Sequence, residues 1–279
     1  ILEYTEEKEL KYRLIAVDLD DSLLDHHQRI SERNKQALRA AQEMGTHVTV
    51  ATGRIPDSAM PFIRELNVAV PVIAYQGAYI KDTMTGKTLM KYPIPMEYAH
   101  QILEKCKEDN LYTQAYVENN YFFEQECPYS QLYRRISGLK GRAVGDLRTF
   151  LKEEPAKILI MDESERISSY FQLFREWFGG KLQVTVSKPI FLELTHIHAT
   201  KGNALKQLGS MLGIPREEII AIGDSYNDLS MIEYAGLGVA MGNAPDPVKA
   251  SAQYVTSGND EDGVAEVVER FVLKRRGLE

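Results

Sequence analysis

The chain has 279 residues, 44% of them apolar, 26% charged and 9% aromatic, with a net charge of −7 and a sequence pI near 5.5. That length gives one large domain or two ordinary ones, with a core that needs no disulfide staples. The acidic balance argues against nucleic acid or an anionic membrane as a partner, but leaves room for a small anionic ligand beside a local cation.

Residues 1–11 are charge-rich and lack the apolar stretch of a secretory signal. The first ten are expected to form a frayed extension from a trimmed start. Leu14-Ile15-Ala16-Val17 is an apolar run without alternation, the pattern of a parallel-sheet strand buried on both faces. It stops abruptly at Asp18-Leu19-Asp20-Asp21. Ser31 caps a helix over residues 32–44 that Gly45 ends. Residues 47–51 (HVTVA) form a second strand ending in Thr52-Gly53-Arg54, and residues 55–66 a helix with Pro56 in its first turn. Residues 72–75 read as a third strand of the same sheet, ending in Gln76-Gly77. Strand and helix alternate, which predicts a parallel sheet.

The texture changes near residue 80. Residues 78–81 and 89–92 flank Asp82-Thr83-Met84-Thr85-Gly86, a hairpin signal, and Pro93 and Pro95 mark a boundary. The stretch 93–188 reads as a separate α+β segment. It has a helix over 96–110, strands over 113–117, 121–124 and 157–161, a helix over 164–178, and a strand over 182–187 that pairs with 191–195. Parallel-sheet texture then returns: a helix over 201–212, a strand over 218–222 that stops at Gly223-Asp224, a short helix over 229–235, a strand over 237–240 and a closing segment over 263–274. The expectation is an α/β protein with a Rossmann-like parallel-sheet core, residues 1–92 and 189–279. An inserted α+β cap domain, residues 93–188, interrupts it. No apolar run reaches membrane-spanning length.

Asp18 and Asp20 are two apart, so an extended backbone turns both carboxylates to one side. Such a like-charge pair needs a cation or a shared proton. For these residues taken alone, a polar loop after a core strand is the competing reading. Three further stretches carry useful residue types: Thr52-Gly53-Arg54, Thr200-Lys201-Gly202, and Gly223-Asp224-Ser225-Tyr226-Asn227-Asp228. Parallel strands bring their carboxyl ends to one edge, which predicts that Asp18, Thr52 and Asp224 are neighbours. Asp18, Asp20 and Asp224 would form an oxygen-rich site suited to Mg²⁺. Thr52 supplies a hydroxyl, Gly53 a close backbone amide, and Lys201 a compact positive charge. Phosphoryl transfer needs this set, because there the protein's work is positioning and charge neutralisation.

Matching stretches extend over nearly the whole chain: AVDLDDSLL at 16–24, TGR at 52–54, VIAYQGAYI at 72–80, KGNAL at 201–205, IIAIGDSYNDLSMIEYAGLGVAMGNA at 219–244 and NDEDGV at 259–264. By these it resembles the haloacid dehalogenase (HAD) superfamily phosphatases of the Cof-like branch, which carry a large C2-type cap. The resemblance implies that Asp18 is the nucleophile, forming an aspartyl phosphate, and that Asp20 is the acid/base. It puts Thr52, Gly53, Lys201, Asn227 and the amides of Leu19 and Asp20 around the phosphoryl group. It assigns Mg²⁺ to Asp18, the Asp20 carbonyl and Asp224, with Asp228 orienting Lys201 or the metal's waters. The implied function is Mg²⁺-dependent hydrolysis of a small phosphorylated metabolite, a sugar phosphate or phosphorylated cofactor, by a cytoplasmic monomer or small homo-oligomer. A sugar phosphomutase of the same fold and a non-catalytic phosphate-binding module are the alternatives. The chain departs from the family's common DxDGT at Asp21 and Ser22, and has Gln76 where Asn is usual.

The remaining polar and aromatic features read as structural. Asp162, after the strand KILIM, is a turn or helix-capping residue. His196 and His198 belong to a hinge or the surface, and Arg54 fits a substrate contact or a salt bridge equally. Tyr112, Tyr116, Tyr121, Phe122 and Phe123 read as strand packing, and Tyr133, Arg134 and Arg135 as a solvated helix face. Cys106 and Cys127 lie in no CxxC pattern, so reduced thiols without a catalytic role are expected.

Overall fold

A computed structural model describes residues 10–274, so the expected N-terminal extension lies, except for Leu10, outside the described residues. In chain order the elements begin with β1 (Leu14–Val17), α1 (Glu32–Glu43), β2 (His47–Val50), α2 (Pro56–Glu65), β3 (Val72–Ala74), β4 (Tyr79–Lys81) and β5 (Thr88–Lys91). There follow α3 (Met96–Glu108), β6 (Tyr112–Val117), β7 (Asn120–Phe123), α4 (Pro128–Ser137), β8 (Arg142–Ala143), α5 (Leu147–Phe150), β9 (Lys157–Met161), α6 (Ser164–Phe178), β10 (Leu182–Lys188) and β11 (Phe191–His196). The last are α7 (Lys201–Leu212), β12 (Ile219–Gly223), α8 (Leu229–Tyr234), β13 (Leu237–Ala240), α9 (Asp246–Ser251), β14 (Tyr254–Val255) and α10 (Gly263–Phe271). These residues divide into two compact units. One comprises the chain up to Ala51, Phe62–Val72 and Leu205 onward; the other comprises Thr52–Pro61 and Ile73–Ala204.

The first unit is built on a five-stranded sheet of order β14-β13-β12-β1-β2, with every neighbouring pair parallel. Each residue of β1 and β12 is buried, which is why both sequences are apolar throughout. Ser31 accepts the Asn34 amide at 3.1 Å and so caps α1. That helix packs with α10, where Asn34 Oδ1 accepts the Ala265 amide at 2.8 Å.

The second unit contains a six-stranded sheet of order β10-β11-β9-β6-β7-β8. It is antiparallel from β10 to β7, and β8 joins in parallel. Side chains alternate between its faces. Ala115, Ile158, Ile160, Leu192 and Leu194 bury one face with Ile102, Ile167 and Phe174 of α3 and α6. Tyr116, Leu159, Met161 and Phe191 bury the other in an aromatic cluster with Tyr121 and Phe123. The strand aromatics are therefore packing residues, as their β-propensity implies.

Two expectations need correction. The third strand does not extend the parallel sheet; β3 belongs to a three-stranded sheet with β4 and β5. The chain turns sharply after Ala74, with positive φ at Tyr75 and Gln76, so only three residues stay extended. Tyr133 is not on a solvated face. It packs edge-on to Tyr121, with ring centroids 5.2 Å apart, and lies 6.0 Å from Phe191; a ring of that area is better buried. Asp162 is a turn residue as expected: Oδ1 accepts the Glu163 amide at 2.8 Å and Oδ2 pairs with Arg166 at 2.6 Å. Among the described residues, no helix is long and apolar enough to cross a membrane.

Candidate active site

The acidic strand end is built by β1 and β12 lying side by side. Val17 is opposite Ile222, and the Asp18 amide extends the ladder by donating to the Ile222 carbonyl at 3.0 Å. Asp18 and Asp224 therefore leave the sheet from adjacent strands. After Asp18 the chain curls into one turn, in which the amides of Leu23 and Leu24 reach back to the carbonyls of Asp18 and Leu19. Leu19 is buried beneath that turn. Asp21 stands at φ 57°, a left-handed position that Asp tolerates better than most residues. It is a turn residue, and its carbonyl accepts from Asn243 Nδ2 at 2.8 Å. The Asn259 side chain in turn donates to the Leu24 carbonyl at 2.9 Å. Two distant loops thus pin the acidic turn.

Oxygens of Asp18, Asp224 and Asp228 come within 4.8 Å of one another. Asp18 is 5% exposed, Asp224 9% and Asp228 fully buried. Ser22 Oγ donates to Asp224 Oδ1 at 2.8 Å, which fixes the direction of that carboxylate. Asp228 Oδ2 accepts the amides of Asp224 and Ser225, each at 3.0 Å, so Asp228 braces the loop that carries Asp224. A side chain on Gly223 would overlap Asp228; glycine is what lets the brace approach. Three carboxylates this close repel one another, and a cation held among them would offset that repulsion. An all-oxygen donor set of this kind fits a hard divalent ion such as Mg²⁺. The Asp20 carboxylate, half-buried, is not one of the three. Asn227 is exposed on the turn that precedes α8.

In the second unit three other segments converge. The Thr52 amide donates to the Ile73 carbonyl at 2.9 Å, and the Gln76 amide to the Thr52 carbonyl at 3.1 Å. Thr52 Oγ1 accepts the Arg54 amide at 3.1 Å, and the Gln76 side chain lies against Gly53. Gly77 has φ +97°, and a Cβ there would collide with the Thr200 carbonyl. Thr200 Oγ1 accepts the Asn203 amide at 3.0 Å, which caps α7 and seats Lys201 at the helix start, fully buried. Thr52-Gly53, Gln76-Gly77 and Thr200-Lys201 thus form one compact set. A buried lysine at a helix start and a threonine hydroxyl, carried on segments that pack together, are residue types suited to holding an oxyanion.

The sequence reading groups the carboxylates of Asp18, Asp20 and Asp224, whereas the structure brings Asp228 rather than the Asp20 carboxylate to Asp18 and Asp224; the reading misses the Ser22–Asp224 bond and the bracing by Asn243 and Asn259. The only signal was membership of the motifs DLDDS, MGNA and NDEDG. Both cysteines are unpaired, and burial pushes the Cys106 thiol up to about 12, away from a thiolate nucleophile. His196 and His198 lie near each other beside Tyr92 and contribute to no metal-capable group of three among the described residues.

The family profile of haloacid dehalogenase-like hydrolases matches residues 15–268. Phosphatase YwpJ of Bacillus subtilis is 33% identical over 285 aligned residues, covering 93% of this chain and all of that protein. The 5-amino-6-(5-phospho-D-ribitylamino)uracil phosphatase YwtE of the same organism is 30% identical, covering 93% and 98%. A haloacid dehalogenase-like hydrolase from Bacteroides thetaiotaomicron superposes with a TM-score of 0.86 at 36% identity, covering 93% of this chain and 99% of its own. These matches span both units and all of the motifs. The chain belongs to the haloacid dehalogenase-like hydrolases and is a phosphatase of that family.

Proposed function

We propose that the enzyme is Mg²⁺-dependent and removes phosphate from small phosphorylated metabolites, sugar phosphates or phosphorylated cofactors, through an aspartyl phosphate on Asp18. The observation that carries this reading is the convergence of Asp18, Asp224 and Asp228 at adjacent strand ends. A relative that acts on a ribityl phosphate supports the substrate class. Residues 93–188 are proposed as the cap inserted into a core of residues 1–92 and 189–279. The unpaired cysteines agree with a reducing, cytoplasmic setting, and the working form is taken as a monomer or small homo-oligomer.

In the first step an Asp18 carboxylate oxygen attacks phosphorus, and the bond from phosphorus to the leaving oxygen breaks. Asp20, entering protonated, gives its proton to that oxygen. In the second step Asp20, now a carboxylate, takes a proton from water as the water oxygen attacks the same phosphorus. Inorganic phosphate leaves, and Asp18 is restored. Thr52, Gly53, Lys201, Asn227 and the amides of Leu19 and Asp20 hold the phosphoryl oxygens. Asp18, the Asp20 carbonyl and Asp224 would hold Mg²⁺, with Asp228 behind them. Bound there, the ion would neutralise charge on the transferring group.

Asp18→Asn is expected to lower the turnover of p-nitrophenyl phosphate by at least about 10⁴-fold, the usual scale for loss of a nucleophile. Chelation should abolish turnover and added Mg²⁺ restore it. Phosphate release that survives either treatment would falsify the reading.

A further inference from the structure

Four neighbouring parallel strands, β14, β13, β12 and β1, bring their carboxyl ends to one edge of the five-stranded sheet. The loops that leave β13 and β14 there are locked together. The Met241 amide donates to the Gly223 carbonyl at 2.9 Å, and the Gly242 amide to the Ser257 carbonyl at 3.0 Å. Glu266 of α10 accepts the Ser257 amide at 3.2 Å and the Ser257 hydroxyl at 2.6 Å. The Asn259 amide donates to Asn243 Oδ1 at 3.1 Å. From this frame three side chains reach the acidic turn after β1. Asn243 Nδ2 donates to the Asp21 carbonyl at 2.8 Å and Asn259 Nδ2 to the Leu24 carbonyl at 2.9 Å, while Asp260 Oδ1 accepts the His26 amide at 3.0 Å. All of these residues lie in the first unit.

Asn243 is exposed, so it adds little to the core. Its hydrogen bonds act instead on a turn that is unfavourable by itself. Asp20 is extended, with φ −71° and ψ 128°, and Asp21 then enters the left-handed region at φ 57° and ψ 10°. Glycine takes that conformation freely, whereas a residue with a Cβ takes it against a steric penalty. Asn243 binds the carbonyl of the left-handed residue itself. The other end of the turn is anchored by the Asp18 amide on Ile222. Asp20 lies between the two anchors. If Asp21 relaxed to an ordinary φ, the Asp20 carboxyl would be carried to a new direction.

We infer that Asn243, backed by Asn259, is a positioning residue for proton transfer by Asp20: it holds Asp21 left-handed and so aims the Asp20 carboxyl at the leaving oxygen. This rests on the acid/base reading of Asp20 given above and adds the contact that aims it. A general acid acts only within hydrogen-bond reach of the atom it protonates, and a misplacement of about 1 Å costs about 100-fold. The loss depends on the leaving group. p-Nitrophenolate leaves readily without a proton; phenolate, as basic as a tyrosine side chain with a pKa of about 10, needs one. The ratio of kcat/KM for phenyl phosphate to that for p-nitrophenyl phosphate therefore reports the acid in the first step, separately from the later attack of water.

The test measures that ratio with Mg²⁺ on the full chain. Asp20→Asn gives the fall expected when the acid is lost. Asn243→Ala should lower the ratio about tenfold or more, and Asn259→Ala, which leaves its backbone amide on Asn243, should lower it in the same direction. Asp21→Gly takes the left-handed conformation without strain, so added to Asn243→Ala it should restore most of the ratio. A hydrogen bond that merely stabilised the loop would give no such rescue. Thermal midpoints supply a readout free of turnover: Asn243→Ala should lower the midpoint less in the Asp21→Gly background than in the native chain. Folded variants with a native ratio overturn the inference, and so does a ratio that Asp21→Gly leaves low. If Asp20→Asn itself keeps the native ratio, the acid/base reading fails, and the midpoints alone then decide whether Asn243 holds Asp21: additive shifts overturn that, and a smaller shift in the Asp21→Gly background upholds it.

Discussion

Ser22 is a small residue with a large structural consequence. Its hydroxyl is the donor to Asp224 Oδ1, so Ser22→Ala leaves a buried carboxylate short of one hydrogen bond. The expected cost is about 1–3 kcal/mol of stability, together with Mg²⁺ affinity weakened by about 10–100-fold, the scale for losing a residue that orients a ligand. Denaturant unfolding and a Mg²⁺ titration of activity check the two effects separately. The Lys157–Glu193 pair makes a second prediction at this scale. Burial pushes the Glu193 carboxyl up, but the Lys157 charge and the Ser187 and Lys157 hydrogen bonds outweigh it, so the group stays below its ordinary value. Burial likewise lowers Lys157, and the Glu193 charge outweighs that, leaving it raised. A depressed carboxyl stabilises the fold above its unfolded value of about 4.3, and a raised ammonium does so below about 10.4. The pair's contribution to the thermal midpoint should therefore hold level between these limits. It should fall as pH drops through the Glu193 value or rises through the Lys157 value. A scan of midpoint against pH should show a weaker acid limb in Glu193→Gln than in the native chain.

Among the elements, the turn Tyr75-Gln76-Gly77 is under the greatest constraint. Tyr75 and Gln76 both have positive φ, rare for side chains of that size, and the Tyr75 hydroxyl is tied to the Glu118 carbonyl at 2.7 Å. Gly77 follows at φ +97° against the Thr200 carbonyl. Gly77→Ala adds both strain and a collision, and should cost about 1–3 kcal/mol. Because the displaced carbonyl precedes Lys201, KM for aryl phosphate should rise along with the loss of stability. A variant with unchanged steady-state kinetics would show that this turn does not position Lys201. The same turn explains why β3 departs from its sequence expectation: the residues after it are committed to the turn, and propensity carries no record of that commitment.

At the scale of the whole molecule, the acidic site adds clustered negative charge to an already acidic chain, net charge −7. Carboxylate oxygens of Asp18, Asp224 and Asp228 within 4.8 Å of one another repel, and a cation bound among them offsets that repulsion. Mg²⁺ should raise the thermal midpoint, with about 2.7 kcal/mol of stabilisation at a hundred times its Kd. Asp224→Asn should raise the midpoint in chelator and abolish most of the shift with Mg²⁺. If the variant melts lower in chelator and responds to Mg²⁺ as the native chain does, the three carboxylates are not the ion's site.

Whatever is local or periodic was legible in the sequence alone. Unbroken apolar runs marked β1 and β12 as buried strands; Ser31 and Gly45 bounded α1; carboxylates at strand ends marked the site; and the ordered motifs identified the family. Each of these is encoded within a few residues, because burial and capping act on neighbours along the chain. Which side chains meet was settled only by the folded arrangement. Ser22 reaches Asp224 across more than two hundred residues, Lys157 pairs with Glu193 only through the register of β9 and β11, and Tyr133 turns inward because Tyr121 and Phe191 are there to receive it. Strand order and register are fixed by burial summed over a whole sheet. A short stretch of sequence records that a residue is buried or charged, not what it lies against.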